Sequence, residues 1–193
     1  MKLNLGCGSQ LLPGYLNVDK FGDPDLRWDL EQLPWPWADN SADEVLLSHV
    51  LEHLGREPDL FIGIMKELYR VCRDGAAVRI IVPHPRHDSF MMDPTHVRPI
   101  LPGTVEMFSR KANLEWQKAQ AANTPLALFH DVDFELVSST SVLDEPYRTL
   151  YREGRITPEQ LQEAERSLDN VVLQIEMTLR VVKPPVLLKS AAE

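Results

Sequence analysis

The sequence predicts an α/β fold: one Rossmann-like, doubly wound sheet that is mostly parallel, with an antiparallel strand at its C-terminal edge. Two observations support this prediction. Short apolar runs bounded by Gly, Pro or Asp recur through residues 1–85, as buried parallel strands do. An amphipathic helical pattern then separates the last two of these runs, which gives the strand, helix, strand order of α/β proteins.

Four short strands are predicted before residue 50, over residues 3–5, 16–18, 26–30 and 44–48. The second of them closes on Asp19. Only residues 9–17 separate the first two strands, with Pro13-Gly14 in the middle, so we expect the first helix of the fold to be shortened. Pro34 and Pro36 keep their segment out of the sheet, because proline cannot donate to a strand ladder.

A helix is predicted over residues 58–72, where apolar side chains recur at helical spacing. The main apolar positions are Leu60, Ile64, Leu68 and Val71. Asp74-Gly75 is expected to stop this helix, and residues 76–82 to form a fifth strand that ends at Pro83.

The C-terminal half is predicted to hold a long polar loop, two helices and two strands. The ranges are 83–102 for the loop, 103–120 and 157–168 for the helices, and 134–142 and 171–182 for the strands. Thr157 is expected to cap the second helix, with Pro158 in its first turn. The last strand alternates apolar and polar residues, from which we expect a solvated face and an antiparallel edge position. The charged face of the second helix is expected to meet water; the alternative is a contact between two copies in a homodimer.

The composition narrows the possible classes of function. A formal net charge of −9 leaves no surplus of basic residues to neutralise a phosphate backbone, so nucleic acid is not the expected partner. Cys7 and Cys72 lack the spacing of a disulfide framework or a structural zinc site. The first residues lack the apolar region of a secretion signal, and no run is long enough to span a membrane. We therefore expect a cytoplasmic protein without a membrane partner.

A glycine turn follows the first predicted strand. Gly6-Cys7-Gly8 allows close approach of a ligand to the backbone where doubly wound sheets bind nucleotides, although a plain strand-ending turn is the alternative. The third glycine of the dinucleotide fingerprint is missing, and Asp19 comes too early for it, which disfavours NAD. Asp19 ends the second strand, where its two carboxylate oxygens can accept hydrogen bonds from two ribose hydroxyls.

Five motifs occur together in the N-terminal half: LNLGCG (3–8), PGYLNVD (13–19), DL (29–30), LPWPWADNSADEVLLSHVLEHL (33–54) and ELYRVCRDGAAVRIIVP (67–83). In this order and spacing they resemble the class I S-adenosylmethionine-dependent methyltransferases, above all small bacterial and phage proteins with an S-HVLEH-L block. The resemblance covers about residues 1–85 and implies S-adenosylmethionine as the cofactor. We expect one domain over residues 1–193, with a cofactor-binding half (1–85), a substrate-loop and C-terminal half (86–183) and a tail (184–193).

The resemblance also implies roles for particular residues. Those implied at the methionine moiety are Gly6, Cys7 and Gly8; Asp19 would hold the ribose, Asp29 and Leu30 would border the adenine, and Ser48 and His49 would lie beneath the sulfonium. Because the first helix is shortened, Asn17 or Gln10 is expected to supply side-chain contacts in its place.

Histidines and acids are concentrated in residues 48–53 and 84–98, both expected at the ligand-binding edge of the sheet. Imidazole suits proton transfer near neutral pH, which makes His49, His84, His87 and His96 the catalytic candidates; Asp93 is a further candidate for contact with the substrate. These residue types also bind metals, but the HVLEH block lacks the order of the HExxH motif, so no metal is predicted. Glu52 and His53 are expected to cap or hydrogen-bond the following helix.

The leading hypothesis is methyl transfer to an O or N atom of a small-molecule or sugar-like acceptor. Aligning acceptor, methyl and sulfur is the main task in such a displacement, and a base is needed only where the acceptor must lose a proton. The alternative is a non-catalytic regulatory protein that binds S-adenosylmethionine or another nucleotide. The acceptor itself cannot be chosen from a fold.

Overall fold

The computed structural model describes residues 1–184, and its seven strands form one sheet in the order β3-β2-β1-β4-β5-β7-β6. The strands are β1 (Lys2–Leu5), β2 (Leu16–Asp19), β3 (Leu26–Arg27), β4 (Ala42–Ser48), β5 (Cys72–Pro83), β6 (Phe134–Leu143) and β7 (Val172–Val181). The helices are α1 (Pro58–Val71), α2 (Asp88–Met91), α3 (Pro102–Glu106), α4 (Arg110–Lys118), α5 (Leu126–His130), α6 (Tyr147–Arg152) and α7 (Pro158–Ser167). The tail predicted at 184–193 lies, beyond its first residue, outside the described residues.

Strands β1 to β5 pair in parallel, and β7 pairs antiparallel with both β5 and β6. The mostly parallel Rossmann-like sheet predicted from the sequence is therefore confirmed. The strand order reverses at β1, which has β2 on one side and β4 on the other. Ligands of such sheets bind at this switch point, beyond the carboxyl ends of the strands.

The core lies on the apolar faces of β1, β4, β5 and β7, with α1 packed against the sheet. Helix α1 buries Phe61, Ile64, Met65 and Leu68, which confirms the helical pattern. Its end was predicted wrongly: β5 begins at Cys72, directly after the helix, so Asp74-Gly75 does not stop it. The register against β4 shifts between Ala42 and Glu44, and Gly75 has a φ of +74°, so this dipeptide lies in a bulge of β5.

The alternating pattern of the final strand predicted an edge position, but this strand lies inside the sheet. Strand β7 lies between β5 and β6, and β6 is the edge strand. Alternation reports which face of a sheet is buried and carries no information about lateral neighbours, so it cannot tell an edge strand from an inner one. Strand β6 has the more exposed pattern, and its Val137 is 60% exposed.

Two other elements differ from their predicted extents. Strand β3 has two residues, because the chain turns away after Arg27 and forms a turn in which Gln32 N donates to Asp29 O. The helix predicted over 103–120 is two helices, α3 and α4, since the hydroxyl of Ser109 accepts a hydrogen bond from Ala112 N and starts α4 anew.

A loop connects β1 to β2 in place of a helix, which agrees with the expectation that the first helix of the fold is shortened. The insertion before β7 holds α6, which the sequence analysis missed, and α7, whose capping box of Thr157 and Gln160 confirms the predicted start. Leu161 and Ala164 of α7 pack with Val171 in a small cluster of their own. Within residues 1–184, every helix is too short or too polar to cross a membrane.

Candidate functional site

A cavity of about 470 Å³ opens at the carboxyl ends of β1, β2 and β4, the switch point of the sheet. It is lined by Gly6, Asp19, Lys20, Phe21, Trp28, Asp29, Leu30, His49, Val50, His53, Leu54 and Thr95. We refer to it as the first cavity. Five of the nine predicted cofactor-binding residues line it: Gly6, Asp19, Asp29, Leu30 and His49.

Gly6 brings the backbone close to the floor of the first cavity. Its φ is +68°, and a Cβ added there would lie 2.4 Å from Cγ2 of Val50. The amides of Gly6 and Cys7 both donate to Val18 O, at 2.7 and 3.0 Å. A side chain at position 6 is therefore excluded both by the backbone conformation and by contact with Val50.

Asp19 ends β2 with its carboxylate at the rim of the first cavity. Oδ2 accepts a hydrogen bond from Gly8 N and Oδ1 accepts one from Phe21 N, both at 2.8 Å. Each carboxylate oxygen can accept more than one hydrogen bond, so both keep capacity toward a ligand with two adjacent hydroxyls.

The opposite wall contains aromatic side chains that the sequence analysis had not singled out. Phe21 is 70% exposed at the rim, and Nζ of Lys20 lies 5.5 Å above its ring. The indole N–H of Trp28 is buried and has no hydrogen-bond partner among residues 1–184. A buried donor without a partner is costly, so a ligand that accepts from Trp28 would be stabilised.

The other four predicted cofactor-binding residues do not line the first cavity: Cys7, Gly8, Asn17 and Ser48. The Asn17 side chain holds the loop between β1 and β2: Oδ1 accepts from Asn4 Nδ2 at 2.9 Å and from Leu12 N at 2.8 Å, and Nδ2 donates to Asp25. It thus supports the loop from behind. Burial raises the pKa of the Cys7 thiol, which keeps this side chain neutral.

A second cavity, of about 300 Å³, adjoins the first and shares His49 and His53 with it. Its full lining is His49, Glu52, His53, Pro83, Ser89, Asp93, His96, Leu173 and Gln174. The polar loop before α3 thus meets the turn that follows β4. The two histidine-rich segments, 48–53 and 84–98, were both expected at this edge of the sheet.

His49 follows β4 in a left-handed conformation, with a φ of +55°, and its N–H donates to Ile81 O. Its Nε2 lies 3.3 Å from Oε1 of Gln174, and its Nδ1 lies 3.6 Å from Oε1 of Glu52. The Glu52 carboxylate raises the pKa of His49, because it favours the charged imidazolium. His49 is therefore placed in both cavities and can hold a proton.

Glu52 and His53 do not cap the following helix, so that expectation was wrong. They belong to a 3₁₀ turn, Leu51–His53, and Glu57 is the N-cap of α1. Glu52 is fully buried, and neither carboxylate oxygen accepts a hydrogen bond from the described residues. The short connection between β4 and α1 turns the Glu52 side chain toward the second cavity.

The four catalytic candidates separate into two pairs. His49 and His96 line the second cavity, whereas His84 and His87 line neither cavity. His87 is buried as the N-cap of α2, with Nδ1 accepting from Ser89 N and Nε2 3.1 Å from Asp144 Oδ2. Nδ1 of His84 accepts from Arg86 N, and burial lowers the pKa of His84.

Seven residues of the first cavity were missed: Lys20, Phe21, Trp28, Val50, His53, Leu54 and Thr95. Most of them had a signal, since they directly follow β2, β3 or β4, where ligand-binding side chains are expected. Thr95 had none, because it comes from a loop more than forty residues away from the turn it contacts.

Comparison with known proteins agrees with the fold of this chain. A family model described as a methyltransferase domain matches residues 18–80. No curated protein matches the chain by sequence. Among solved structures, a SAM-dependent methyltransferase from Archaeoglobus fulgidus has a TM-score of 0.55 at 17% identity, over 93% of this chain and 85% of that one.

Two further structures share the fold. SAM-dependent methyltransferases from Methanosarcina mazei give a TM-score of 0.52 at 13% identity, covering 94% of this chain and 92% of that one. The 1,6-didemethyltoxoflavin-N1-methyltransferase of Burkholderia thailandensis, with bound 1,6-didemethyltoxoflavin and S-adenosylhomocysteine, gives 0.50 at 14% identity, covering 94% and 71%.

Proposed function

We propose that the chain, whose residues 18–80 match a methyltransferase-domain model, is a class I S-adenosylmethionine-dependent methyltransferase. In this proposal it methylates an O or N atom of a small-molecule acceptor bound in the second cavity. The observation that carries this proposal is the junction of the two cavities at His49 and His53. One cavity suits the cofactor, and the other begins where the cofactor's reactive group would lie.

The first cavity fits S-adenosylmethionine in its chemistry. Asp19 would accept from the ribose hydroxyls, and Gly6 would leave room for the methionine moiety. Asp29 and Leu30 would border the adenine, with the free N–H of Trp28 as a further donor. Lys20 lies 3.5 Å from Asp29 and would limit the negative charge of that wall.

When bound, S-adenosylmethionine supplies a methyl group on a positively charged sulfur; an acceptor atom attacks the methyl carbon in line and the sulfur leaves as a neutral thioether. The residues of this chain align the acceptor and keep water away. His49 would take the proton from an acceptor that must lose one, and the buried charge of Glu52 would stabilise the resulting imidazolium.

The second cavity favours a neutral acceptor that carries hydroxyl or amino groups, such as a sugar-like molecule. Its lining contains Glu52, Asp93, Gln174 and histidines. Among the described residues, no Lys or Arg lines this cavity. Without a bound cation, the two carboxylates would repel a phosphorylated acceptor. The Burkholderia methyltransferase, which shares the fold, is also bound to a small molecule, 1,6-didemethyltoxoflavin.

The first experiment measures the melting temperature with S-adenosylmethionine, S-adenosylhomocysteine and NADH. A ligand at 100 times its Kd adds about 2.7 kcal/mol of stability, so the first two should raise Tm and NADH should not. Asp19→Ala should abolish the shift, whereas Asp23→Ala, which removes an exposed acid outside the cavity, should keep it. The absence of a shift with either sulfur compound would refute cofactor binding in this cavity.

An acceptor screen that detects S-adenosylhomocysteine then tests transfer itself. With an acceptor found, His49→Asn, which tolerates the left-handed backbone, should lower kcat by about 100-fold. The rates are compared at saturating S-adenosylmethionine, because His49 also lines the first cavity. A kcat within two-fold of the wild type would exclude His49 as the base.

A further inference from the structure

The geometry points to a divalent metal site in the second cavity, formed by Glu52, His53 and His96 and suited to a zinc-like first-row ion. One ligand atom from each of these three side chains lies within 4.8 Å of the other two. All three residues line the second cavity. The sequence alone predicts no metal here, because the HVLEH block lacks the order of the HExxH motif.

The buried carboxylate of Glu52 requires a cationic partner. Its side chain is 1% exposed, and neither carboxylate oxygen accepts a hydrogen bond from residues 1–184. A buried carboxylate without compensation costs several kcal/mol, and proteins resolve this cost by pairing the charge or by binding a metal. The nearest cationic candidates are histidines at longer distances: Nδ1 of His49 at 3.6 Å and Nε2 of His96 at 4.0 Å.

His96 already has the orientation of a metal ligand. Its Nδ1 lies 2.7 Å from the carbonyl oxygen of Phe90, which can only accept, so this nitrogen carries the proton. The lone pair of neutral His96 is therefore on Nε2, the atom that faces Glu52. A hydrogen bond from the distal ring nitrogen to a backbone carbonyl is the usual way in which proteins orient metal-binding imidazoles.

His53 is oriented by a chain of two hydrogen bonds. The hydroxyl of Thr95 donates to Asp93 Oδ1 at 2.6 Å, so its oxygen is left to accept from Nδ1 of His53 at 2.9 Å. The lone pair of His53 is then on Nε2. One ring nitrogen of each imidazole lies within 4.8 Å of a carboxylate oxygen of Glu52, and the two ring centroids are 4.5 Å apart.

The donor set selects the metal class. Two imidazoles and a carboxylate match the ligands of catalytic zinc, whereas magnesium and calcium prefer oxygen atoms only. Ligand atoms on one such ion are at most about 4.4 Å apart, given bonds of about 2.2 Å, so binding would draw the three groups together slightly. A fourth position would remain open toward the cavity, with His49 and Asp93 as neighbouring groups.

Backbone contacts hold the two halves of this site together. Val97 N and Arg98 N both donate to the carbonyl oxygen of Glu52, which fixes the loop carrying His96 against the 3₁₀ turn. A metal here would bind an acceptor oxygen at the open position; this role rests on the proposed function, whereas metal binding itself does not.

The test is a calorimetric titration of the chelator-treated full chain with ZnCl₂, repeated with Co²⁺ and its visible absorption. We expect one ion per chain with a Kd of micromolar order or tighter. His96→Ala and Glu52→Gln should each weaken binding at least 30-fold, with His96→Gln as a second variant if either fails to fold. His130→Ala, which removes a histidine outside both cavities, should bind as the wild type does.

S-adenosylhomocysteine affinity, measured on the same samples, separates this inference from the proposed function. It should stay within two-fold in His96→Ala, because His96 lines only the second cavity. A wild-type chain that binds the cofactor product but no zinc up to 1 mM would overturn the metal site alone. Zinc affinity that is unchanged in both His96→Ala and Glu52→Gln would overturn it as well.

Discussion

The two cavities share a wall but are built in different ways. All but one of the residues lining the first lie within residues 6–54, at or after the ends of four adjacent strands, where the backbone and a glycine set its shape. The second takes residues from the 3₁₀ turn, the end of β5, the loop before α3 and β7. A cavity made from local backbone geometry and one made from distant side chains should therefore respond differently to substitution.

The largest effect is expected from Gly6→Ala, which alters the backbone of the first cavity. The added Cβ would lie 2.4 Å from Val50 at a φ of +68°. Overpacking and a left-handed alanine together should cost about 2–4 kcal/mol of folding free energy and remove cofactor binding. Urea denaturation and S-adenosylhomocysteine titration measure the two effects.

Gly8→Ala is the matched control for this prediction. Gly8 also has a positive φ, +51°, but an added Cβ meets no atom within 4 Å. It should cost only the backbone strain, about 1 kcal/mol. Equal losses in the two variants would mean that close approach to Val50 is not what requires a glycine at position 6.

The same contrast explains what the sequence could and could not predict. The strands, α1, the missing first helix and five residues of the first cavity were predictable, because each depends on a short run of residues. The place of β7 inside the sheet was not, since alternation carries no information about lateral neighbours. Nor was the meeting of Glu52 with His96, which depends on how a loop of irregular structure returns to the 3₁₀ turn.

An intermediate effect is expected from Glu67→Gln, which tests how α1 supports the first cavity from behind. Glu67 accepts from Trp35 N and from Arg70, and Arg70 also donates to the carbonyls of Trp35 and Trp37. The indole of Trp35 in turn donates to Leu30 O, and Leu30 lines the cavity. Loss of the charge should cost about 1–2 kcal/mol of folding free energy, since hydrogen bonds to charged groups are the stronger ones.

The pH dependence of Glu67 follows from the same contacts. Arg70 lowers the pKa of Glu67 below its ordinary 4.5, so the unfolded chain binds the proton more readily than the folded one. Its stabilising contribution is complete above pH 4.5 and is lost as pH falls through the lower folded pKa. Unfolding free energies measured from pH 3 to 6 should therefore fall less steeply in Glu67→Gln, and parallel curves would contradict this.

The smallest effect is expected from His84→Ala, which separates the histidines of the sequence pattern from those of the second cavity. His84 lies in the same segment as His96 but lines neither cavity. Its removal should leave zinc and S-adenosylhomocysteine affinities within two-fold, whereas His96→Ala should lose zinc. Because burial lowers the pKa of His84 below its ordinary 6.5, the unfolded chain binds this proton more readily than the folded one, and the wild type loses stability as pH falls below 6.5. The variant should accordingly lose less stability than the wild type between pH 7 and 5. A loss of transfer or metal binding in His84→Ala would instead extend the site beyond the second cavity.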